Sequence, residues 1–117
     1  MGTHSLTFVY EDDEPVINLY RHYDGYPSVH GAELAKFLDT KGRTHNGMTC
    51  LAAQMVAHFK TGPYNFYLYP VGHTDCYQDY EYHLHHDRVV VKNHCNNTLF
   101  DGTWAAFAEF CSLEELA

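Results

Sequence analysis

The stretch THSLTFVYEDDEPVINLYRHY, residues 3–23, alternates apolar and polar side chains on both sides of an acidic turn. Leu6 and Phe8 share one face of the first run, and this period of two is typical of a half-buried strand. Residues 11–15, EDDEP, favour a turn, and residues 16–23 alternate again. The stretch therefore predicts an antiparallel β-hairpin, around which the rest of the fold is arranged.

Helix and strand patterns follow the hairpin. The predicted elements are a helix capped by Ser28, a helix over residues 48–59, strands over residues 66–69, 77–86 and 89–94, and a helix capped by Asp101 or Thr103. The order ββααβββα predicts an α+β fold. We expect a single two-layer domain over residues 1–117, with a mostly antiparallel sheet of about five strands and two to three helices on one face.

The predicted core takes an apolar stripe from each of these elements. Its members are Leu6, Phe8, Ile17, Leu19, Leu34, Phe37, Leu38, Leu51, Met55, Phe59, Tyr82, Leu84, Trp104 and Phe107. A chain of 117 residues is long enough to be stabilised by such a core without a disulfide or a metal ion.

The charge balance is strongly acidic, with seven basic against fifteen acidic side chains and a formal net charge of −8. Such a field repels phosphate backbones, so we expect no general nucleic-acid binding. No apolar run approaches the roughly 18 residues of a membrane span, and the first residues lack the basic and apolar regions of a secretory signal. These features predict a cytoplasmic protein with no membrane contact.

Several sequence blocks occur along the chain in a specific order. They are MGT and SLT (residues 1–3 and 5–7), LYR, YDGYPS and HG (19–21, 23–28 and 30–31), NGM and CLAAQ (46–48 and 50–54), FYLYP (66–70), QDYEY (78–82) and LFDGTW (99–104). Together they resemble a family of small uncharacterised proteins encoded by tailed bacteriophages and other viruses. The resemblance covers nearly the whole chain and implies an accessory protein made in the host cytoplasm. It implies no particular activity, cofactor or catalytic residue.

The first candidate site is the turn that leads into the first predicted helix. It gathers Asp24 and Tyr26 with Tyr20, Arg21 and His30, next to a helix N-terminus whose free N–H groups attract anions. This combination predicts a site for a ligand or a partner. The alternative is a structural turn with Arg21 as a buried cation paired with Asp24, because strand alternation points Arg21 toward the helices and Tyr20 away.

The second candidate site is a set of histidines near the predicted hairpin of the last two strands. His83 and His85 are two residues apart, so both point to the same sheet face. A tight hairpin would place His83 opposite Lys92 and Glu81 opposite His94, which brings three histidines near one metal ion. Lys92 would repel that ion, so the preferred interpretation is a solvated strand face with no metal and no cofactor.

The third candidate is Cys50, near the start of the second helix, where a thiol pKa can fall. His45, five residues upstream, could act as its base. No nucleophile-elbow spacing surrounds the cysteine, so a thiol packed on an apolar helix face is the preferred interpretation.

Ten tyrosines make the chain rich in amphipathic aromatic side chains. Tyr64, Tyr67, Tyr69 and Tyr77 are predicted to lie on the sheet face away from the helices. Tyrosine clusters on such a face either mark an interface or form ordinary cross-strand pairs. An interface would make a homodimer through the Tyr-rich face a natural arrangement.

Three functions are consistent with these patterns. The first is a non-catalytic phage accessory protein, which binds a host protein or sequesters a small ligand and so favours infection through counter-defence or host takeover. The second is a small hydrolase or nuclease that uses the histidine-rich strand, with or without a metal. The third is a structural or virion-associated component. The resemblance, the acidic charge, the tyrosines and the lack of a catalytic motif favour the first.

The cysteine pattern predicts four reduced thiols, because Cys50, Cys76, Cys95 and Cys111 are widely spaced and form no C-x-x-C pair. Thiol titration of the denatured chain without reductant is expected to find four free thiols. A count of two or fewer would show that a disulfide forms and would contradict the expected reducing compartment.

Overall fold

The protein combines three α-helices with one six-stranded sheet, in a computed structural model that describes residues 3–41, 45–74 and 77–116. In chain order the elements are β1 (Ser5–Glu11), β2 (Glu14–Arg21), a π-helical turn (Pro27–Gly31), α1 (Ala32–Lys41), α2 (Met48–Phe59), β3 (Phe66–Tyr69), β4 (Tyr80–Leu84), β5 (Val89–Asn93), β6 (Thr98–Gly102) and α3 (Trp104–Leu116). The α+β class is confirmed. The predicted strand count was one too low for the described part of the chain, and the order becomes ββααββββα.

The sheet has the strand order β3-β2-β1-β4-β5-β6, and its central pair, β1 and β4, is parallel. The other neighbouring pairs are antiparallel. A parallel pair needs a long crossover connection, and the connection from β1 to β4 contains β2, the π-helical turn, α1, α2 and β3. The hairpin of β1 and β2 is present as the sequence predicted, and β1 also becomes the centre of the sheet.

The strand that the sequence analysis missed is β6. It pairs antiparallel with β5 and places Phe100 opposite Val91. Its sequence, TLFDG, is short, and the prediction gave Asp101 or Thr103 as the cap of the following helix. Thr103 is the observed cap of α3, since its hydroxyl accepts a hydrogen bond from the amide of Ala106 at 3.1 Å, and Asp101 belongs to β6. The available partner strand, rather than local propensity, makes this segment a strand.

The helices cover one side of the sheet and form the main core with it. Val9, Leu19 and Tyr82 of the sheet belong to the same buried cluster as Phe37 of α1 and Phe107 of α3. None of these five side chains is more than 2% exposed. Among the described helices, none is both long enough and apolar enough to cross a membrane.

The other side of the sheet, which we term the open face, carries a second and smaller core. Leu6, Phe8 and Tyr20 are buried there, with Tyr10 and Tyr69 packed against them. The predicted burial of Leu6 and Phe8 is confirmed, but both residues belong to this cluster and not to the one under the helices. Large aromatic side chains from neighbouring strands exclude water from this face.

Twelve of the predicted core residues are buried, and two, Ile17 and Trp104, are only partly buried. Trp104 is the first residue of α3, at the rim of the main core. Its indole N–H donates to the backbone carbonyl of His85 at 3.0 Å. A tryptophan with a polar partner at the rim keeps part of its ring in contact with water.

Phe59→Ala is expected to lower the free energy of unfolding by about 3–5 kcal/mol, because it leaves a cavity where the ring contacts Phe37 and Phe66. Chemical denaturation measures the change. Leu113→Ala, at an α3 position that is 60% exposed, is the control and should change stability by less than about 0.5 kcal/mol. An unfolding midpoint of Phe59→Ala equal to that of the wild type would refute the buried face of α2.

Candidate functional site

The predicted binding turn is divided between the two sides of the sheet. Arg21 and His30 are buried on the helix side, whereas Tyr20 belongs to the small core of the open face. Asp24 is exposed with a left-handed backbone (φ 62°), and Tyr26 is half-buried just before the π-helical turn. These five side chains do not converge, because Tyr20 and Arg21 are strand neighbours that point to opposite faces.

Arg21 and His30 form a buried hydrogen-bonded network next to α1. The guanidinium of Arg21 donates to a carboxylate oxygen of Glu33 and to the backbone carbonyl of Tyr23, both at 2.7 Å. It also donates to Nδ1 of His30 at 3.2 Å. Because a guanidinium can only donate, Nδ1 accepts, and Nε2 of His30 donates to the hydroxyl of Thr7 at 2.8 Å. Arg21 is therefore a buried cation, as the structural alternative predicts, but its ion-pair partner is Glu33 and the predicted pairing with Asp24 was wrong.

Burial keeps the ring of His30 neutral. The side chain is 0% exposed, and burial first and the charge of Arg21 second lower the pKa of His30 from 6.5 to about 3. A neutral ring suits the network, because a protonated ring would point a second N–H at the guanidinium. His30 and Arg21 hold the sheet and α1 together, and their polar atoms are directed at each other.

The open face carries a layer of tyrosine and histidine rings. The hydroxyl of Tyr20 and Nδ1 of His22 are 2.8 Å apart, and Tyr20 stacks on Tyr69 with 4.9 Å between ring centroids. His4 stacks on His22 at 4.6 Å, and strand pairing places Tyr67 opposite Tyr20. The prediction that Tyr67 and Tyr69 share this face agrees with the register. Two further tyrosines predicted for this face lie outside the strands, namely Tyr64 and Tyr77.

A chain of three hydrogen-bonded side chains, which we term the relay, lies on the open face of β1 and β4. Nε2 of His83 is 3.0 Å from a carboxylate oxygen of Glu81, and Nδ1 of His83 is 2.7 Å from the hydroxyl of Tyr10. Gln78 donates to the other oxygen of Glu81 at 3.0 Å, and Phe8 stacks on the ring of His83. The hydrogen bond with His83 is the main reason that the pKa of Glu81 is lowered, so this carboxylate is ionised at neutral pH.

Tyr10 connects the relay to the end of the sheet. Burial first, and the charge of Glu81 second, raise the pKa of Tyr10, so the phenol keeps its proton at neutral pH. The ring of Tyr10 also stacks on His85, with 4.4 Å between centroids and 11° between planes. This arrangement was not predictable from the sequence, because Tyr10 and His83 are 73 residues apart, and only the parallel pairing of β1 and β4 brings them together.

A cleft of about 600 Å³, which we term the hairpin cleft, opens between the β1–β2 turn, the start of α2 and the β4–β5 turn. Tyr10 and His85 form part of its wall. Its acidic lining residues are Glu11, Asp12, Asp13 and Asp87. Glu11 also caps α2, since its carboxylate accepts the amide N–H of Met48 at 2.9 Å. The cleft is therefore predominantly acidic, and it favours neutral or cationic ligands over anions.

The histidines of the last hairpin do not form the predicted three-histidine arrangement. The turn spans residues 85–88, so the register is shifted by two residues, and Glu81 rather than His83 lies opposite Lys92. His94 follows β5 in an exposed turn. Within the described part of the chain, no group of three or more His, Cys, Asp or Glu side chains is placed to hold a metal ion.

Cys50 has the lowered pKa that the start of α2 predicts, but it lacks the predicted base. A backbone hydrogen bond with Asn46 first, and the side chain of Gln54 second, lower the pKa of this thiol. Nδ1 of His45 lies instead 2.9 Å from the backbone carbonyl of Gly47. The free thiols of the described residues are Cys50, Cys95 and Cys111, and Cys76 lies outside the described residues.

Comparisons with known proteins gave no match to this chain among protein-family models, curated proteins or solved structures.

The neutral ring of His30 predicts an acid-sensitive fold. Its folded pKa of about 3 lies below the unfolded value of 6.5, so the unfolded chain binds the proton first as the pH falls. The contribution of the neutral His30 ring to stability is fully present above pH 6.5. It is lost as the pH falls toward 3, at about 1.4 kcal/mol per pH unit.

Urea denaturation at several pH values tests this prediction. Between pH 6 and pH 4, the free energy of unfolding of His30→Gln should fall less steeply with decreasing pH than that of the wild type. The difference in slope should correspond to the uptake of about one proton on unfolding, even if the variant is less stable at neutral pH. His94→Gln, in an exposed turn, is the matched histidine control and should leave the slope unchanged. Equal slopes for wild type and His30→Gln would show that the ring is not held neutral.

Proposed function

We propose that this chain is a phage accessory protein that binds a host protein through an exposed apolar surface beside β3. The observation that carries the proposal is the distribution of exposed apolar side chains. Five of the eight large apolar side chains that are exposed in the described part of the chain lie in or next to this strand. They form the β3 patch, which consists of Tyr23, Tyr64, Tyr67, Leu68 and Val71.

The β3 patch lies at an edge of the sheet. β3 pairs with β2 on one side and is the first strand in the sheet order. The amide of Tyr23 donates to the side-chain oxygen of Asn65 at 2.7 Å, which ties the end of β2 to the start of the patch. The patch wraps around this edge, because Tyr67 shares the sheet face of Tyr20 and Leu68 shares that of Leu19. Exposed apolar side chains grouped at a sheet edge are typical of protein-binding sites, and tyrosine is enriched in such sites.

Four of the five patch residues also lie in a part of the sequence that is free of acidic side chains, and the fifth, Tyr23, precedes Asp24. Residues 40–74 contain no Asp or Glu, although the whole chain has fifteen acidic residues. Lys60 is beside the patch, with Nζ 5.0 Å from the ring centroid of Tyr67 and 2.6 Å from the backbone carbonyl of Phe66. A partner can therefore approach this edge with little repulsion from the acidic field of the chain, which makes a neutral or acidic protein surface the expected partner.

The resemblance of the sequence blocks to small proteins of tailed bacteriophages supports the viral part of the proposal and a role in the host cytoplasm. Binding to a host protein is then the means by which such a protein would favour infection. A second copy of the chain is the competing occupant of the patch, as in the homodimer expected for a Tyr-rich sheet face. The experiment below distinguishes the two occupants.

Leu68→Asp is expected to weaken binding to the host partner by more than about 10-fold, because it places a charge in the apolar patch. The partner is first identified by a photo-crosslinker at position 68, then purified and titrated against each variant by calorimetry. Leu113→Asp is the matched control, since Leu113 on α3 is 60% exposed and Leu68 is 59% exposed.

Equal affinities of the two variants for the purified partner would place the binding site elsewhere. Analytical ultracentrifugation of the wild type tests whether a second copy of the chain occupies the patch. A wild-type dimer that Leu68→Asp converts to a monomer, while Leu113→Asp stays dimeric, would show that the patch is covered by a second copy and would overturn the host-protein proposal.

A further inference from the structure

The relay and the hairpin cleft together have the parts of a small hydrolytic site, which goes beyond binding at the β3 patch. We propose that Tyr10 is a nucleophile toward small neutral or cationic esters, with His83 as its general base and Glu81 as the group that positions the base. This assignment rests on the order of three hydrogen-bonded side chains and on the cleft that Tyr10, the first of them, lines.

The direction of the hydrogen bonds follows from the carboxylate. An ionised Glu81 can only accept, so Nε2 of His83 carries the proton of that 3.0 Å bond. In a neutral imidazole the other nitrogen, Nδ1, is then an acceptor, and the hydroxyl of Tyr10 donates to it at 2.7 Å. The relay is thus arranged so that His83 can take the proton of the phenol. Tyr10 is the nucleophile, His83 is the base, and the carboxylate of Glu81 orients the base.

The carboxylate and the ring are both held in place. Glu81 is fixed by Gln78 on its second oxygen, and the ring of His83 is stacked on Phe8 with 11° between their planes. A base that is held by packing and by a hydrogen bond on its far nitrogen loses little freedom when the proton moves. Supports of this kind are typical of positioned acid–base groups.

The cleft supplies the place for the substrate. Tyr10 lines it at the edge where β1 ends, and the cleft volume of about 600 Å³ is sufficient for a small ester. Of the described residues that line the cleft, Arg88 alone is permanently cationic, and its guanidinium is paired with Asp101. The acidic lining disfavours substrates that carry a carboxylate or a phosphate, so the expected class is neutral or cationic esters.

The reaction balances with water as the only co-reactant. The oxygen of Tyr10 attacks the ester carbonyl, its proton moves to Nδ1 of His83, and the bond from the carbonyl carbon to the leaving alcohol breaks as that alcohol takes up the proton. Water then attacks the acyl-tyrosine, gives a proton to His83, and releases the acid while Tyr10 recovers its proton. The sum is ester plus water giving acid plus alcohol.

The test uses p-nitrophenyl acetate and the full chain. The wild type is expected to release a burst of nitrophenol of about one equivalent per chain and, after an acid quench, to carry one acetyl group on Tyr10 by peptide mass spectrometry. Tyr10→Phe removes a single oxygen and keeps all ten histidines, so it preserves any background from free imidazoles. It should lose the burst and lower the rate by at least about 100-fold.

Tyr20→Phe is the matched control. The hydroxyl of Tyr20 also lies 2.8 Å from Nδ1 of a histidine, His22, but Tyr20 is only 6% exposed and does not line the cleft. This variant should keep the burst. If Tyr10→Phe matches the wild type in rate and burst, or if Tyr20→Phe loses as much as Tyr10→Phe, the proposal is overturned.

Two further measurements separate catalysis from mere folding. Glu81→Gln keeps a hydrogen-bond acceptor but removes the charge, and it should lower kcat with KM unchanged; a change in KM alone would contradict a positioning role. Acetylcholine should be hydrolysed faster than a succinate half-ester, and the reverse order would contradict the assigned substrate class. The β3 patch contains none of the residues of the relay or the hairpin cleft, so this proposal and that of the β3 patch succeed or fail independently.

Discussion

The parallel hydrogen bonding of β1 to β4 positions the central features of both sheet faces. On the helix side this pairing sets Thr7 beside Tyr82. The buried ring of His30 forms a hydrogen bond with Thr7 and packs edge-on against Tyr82. On the open face it sets Phe8 beside His83. A slip of one residue in this pairing would exchange the two faces, leaving an ionisable relay under the helices and a large aromatic side chain in solvent.

Local periodicity in the sequence predicted individual strands and helices and the side of each that is buried. Alternation along residues 3–23 specified the first hairpin, and the apolar stripe of α2 specified a helix whose buried side is the expected one. Neighbour relations were not predictable in this way, because alternation in β1 says which side chains share a face but not which strand lies beside them. The relay therefore escaped the analysis, and β6 did too, since only its pairing with β5 makes it a strand. For Tyr20 and Arg21 the sequence left two interpretations open, and the alternation that places them on opposite faces matches the structure, whereas their proximity in sequence does not bring their side chains together.

The open face shows how histidine can complete a core. Leu6 is 0% exposed although its cluster contains no helix residue, because tyrosine and histidine rings of the neighbouring strands lie over the centre of the sheet. These rings cover apolar area with their faces and satisfy their nitrogens and hydroxyls along their edges, as in the pairs of Tyr20 with His22 and Tyr10 with His83. Such a layer excludes water without a second sheet, and it leaves titratable groups close to the surface.

An open sheet has two edge strands, each with one side of its backbone unpaired. Such an edge can pair with a strand of another molecule and so start aggregation. At β3 the ammonium of Lys60 occupies the outward carbonyl of Phe66, which a neighbouring strand would otherwise use. At β6 the carboxylate of Asp101 forms an ion pair with Arg88, which lies in the turn before β5. Stacking edge to edge would have to desolvate these charges, so the chain can display tyrosine and leucine at its border and still resist fibre formation.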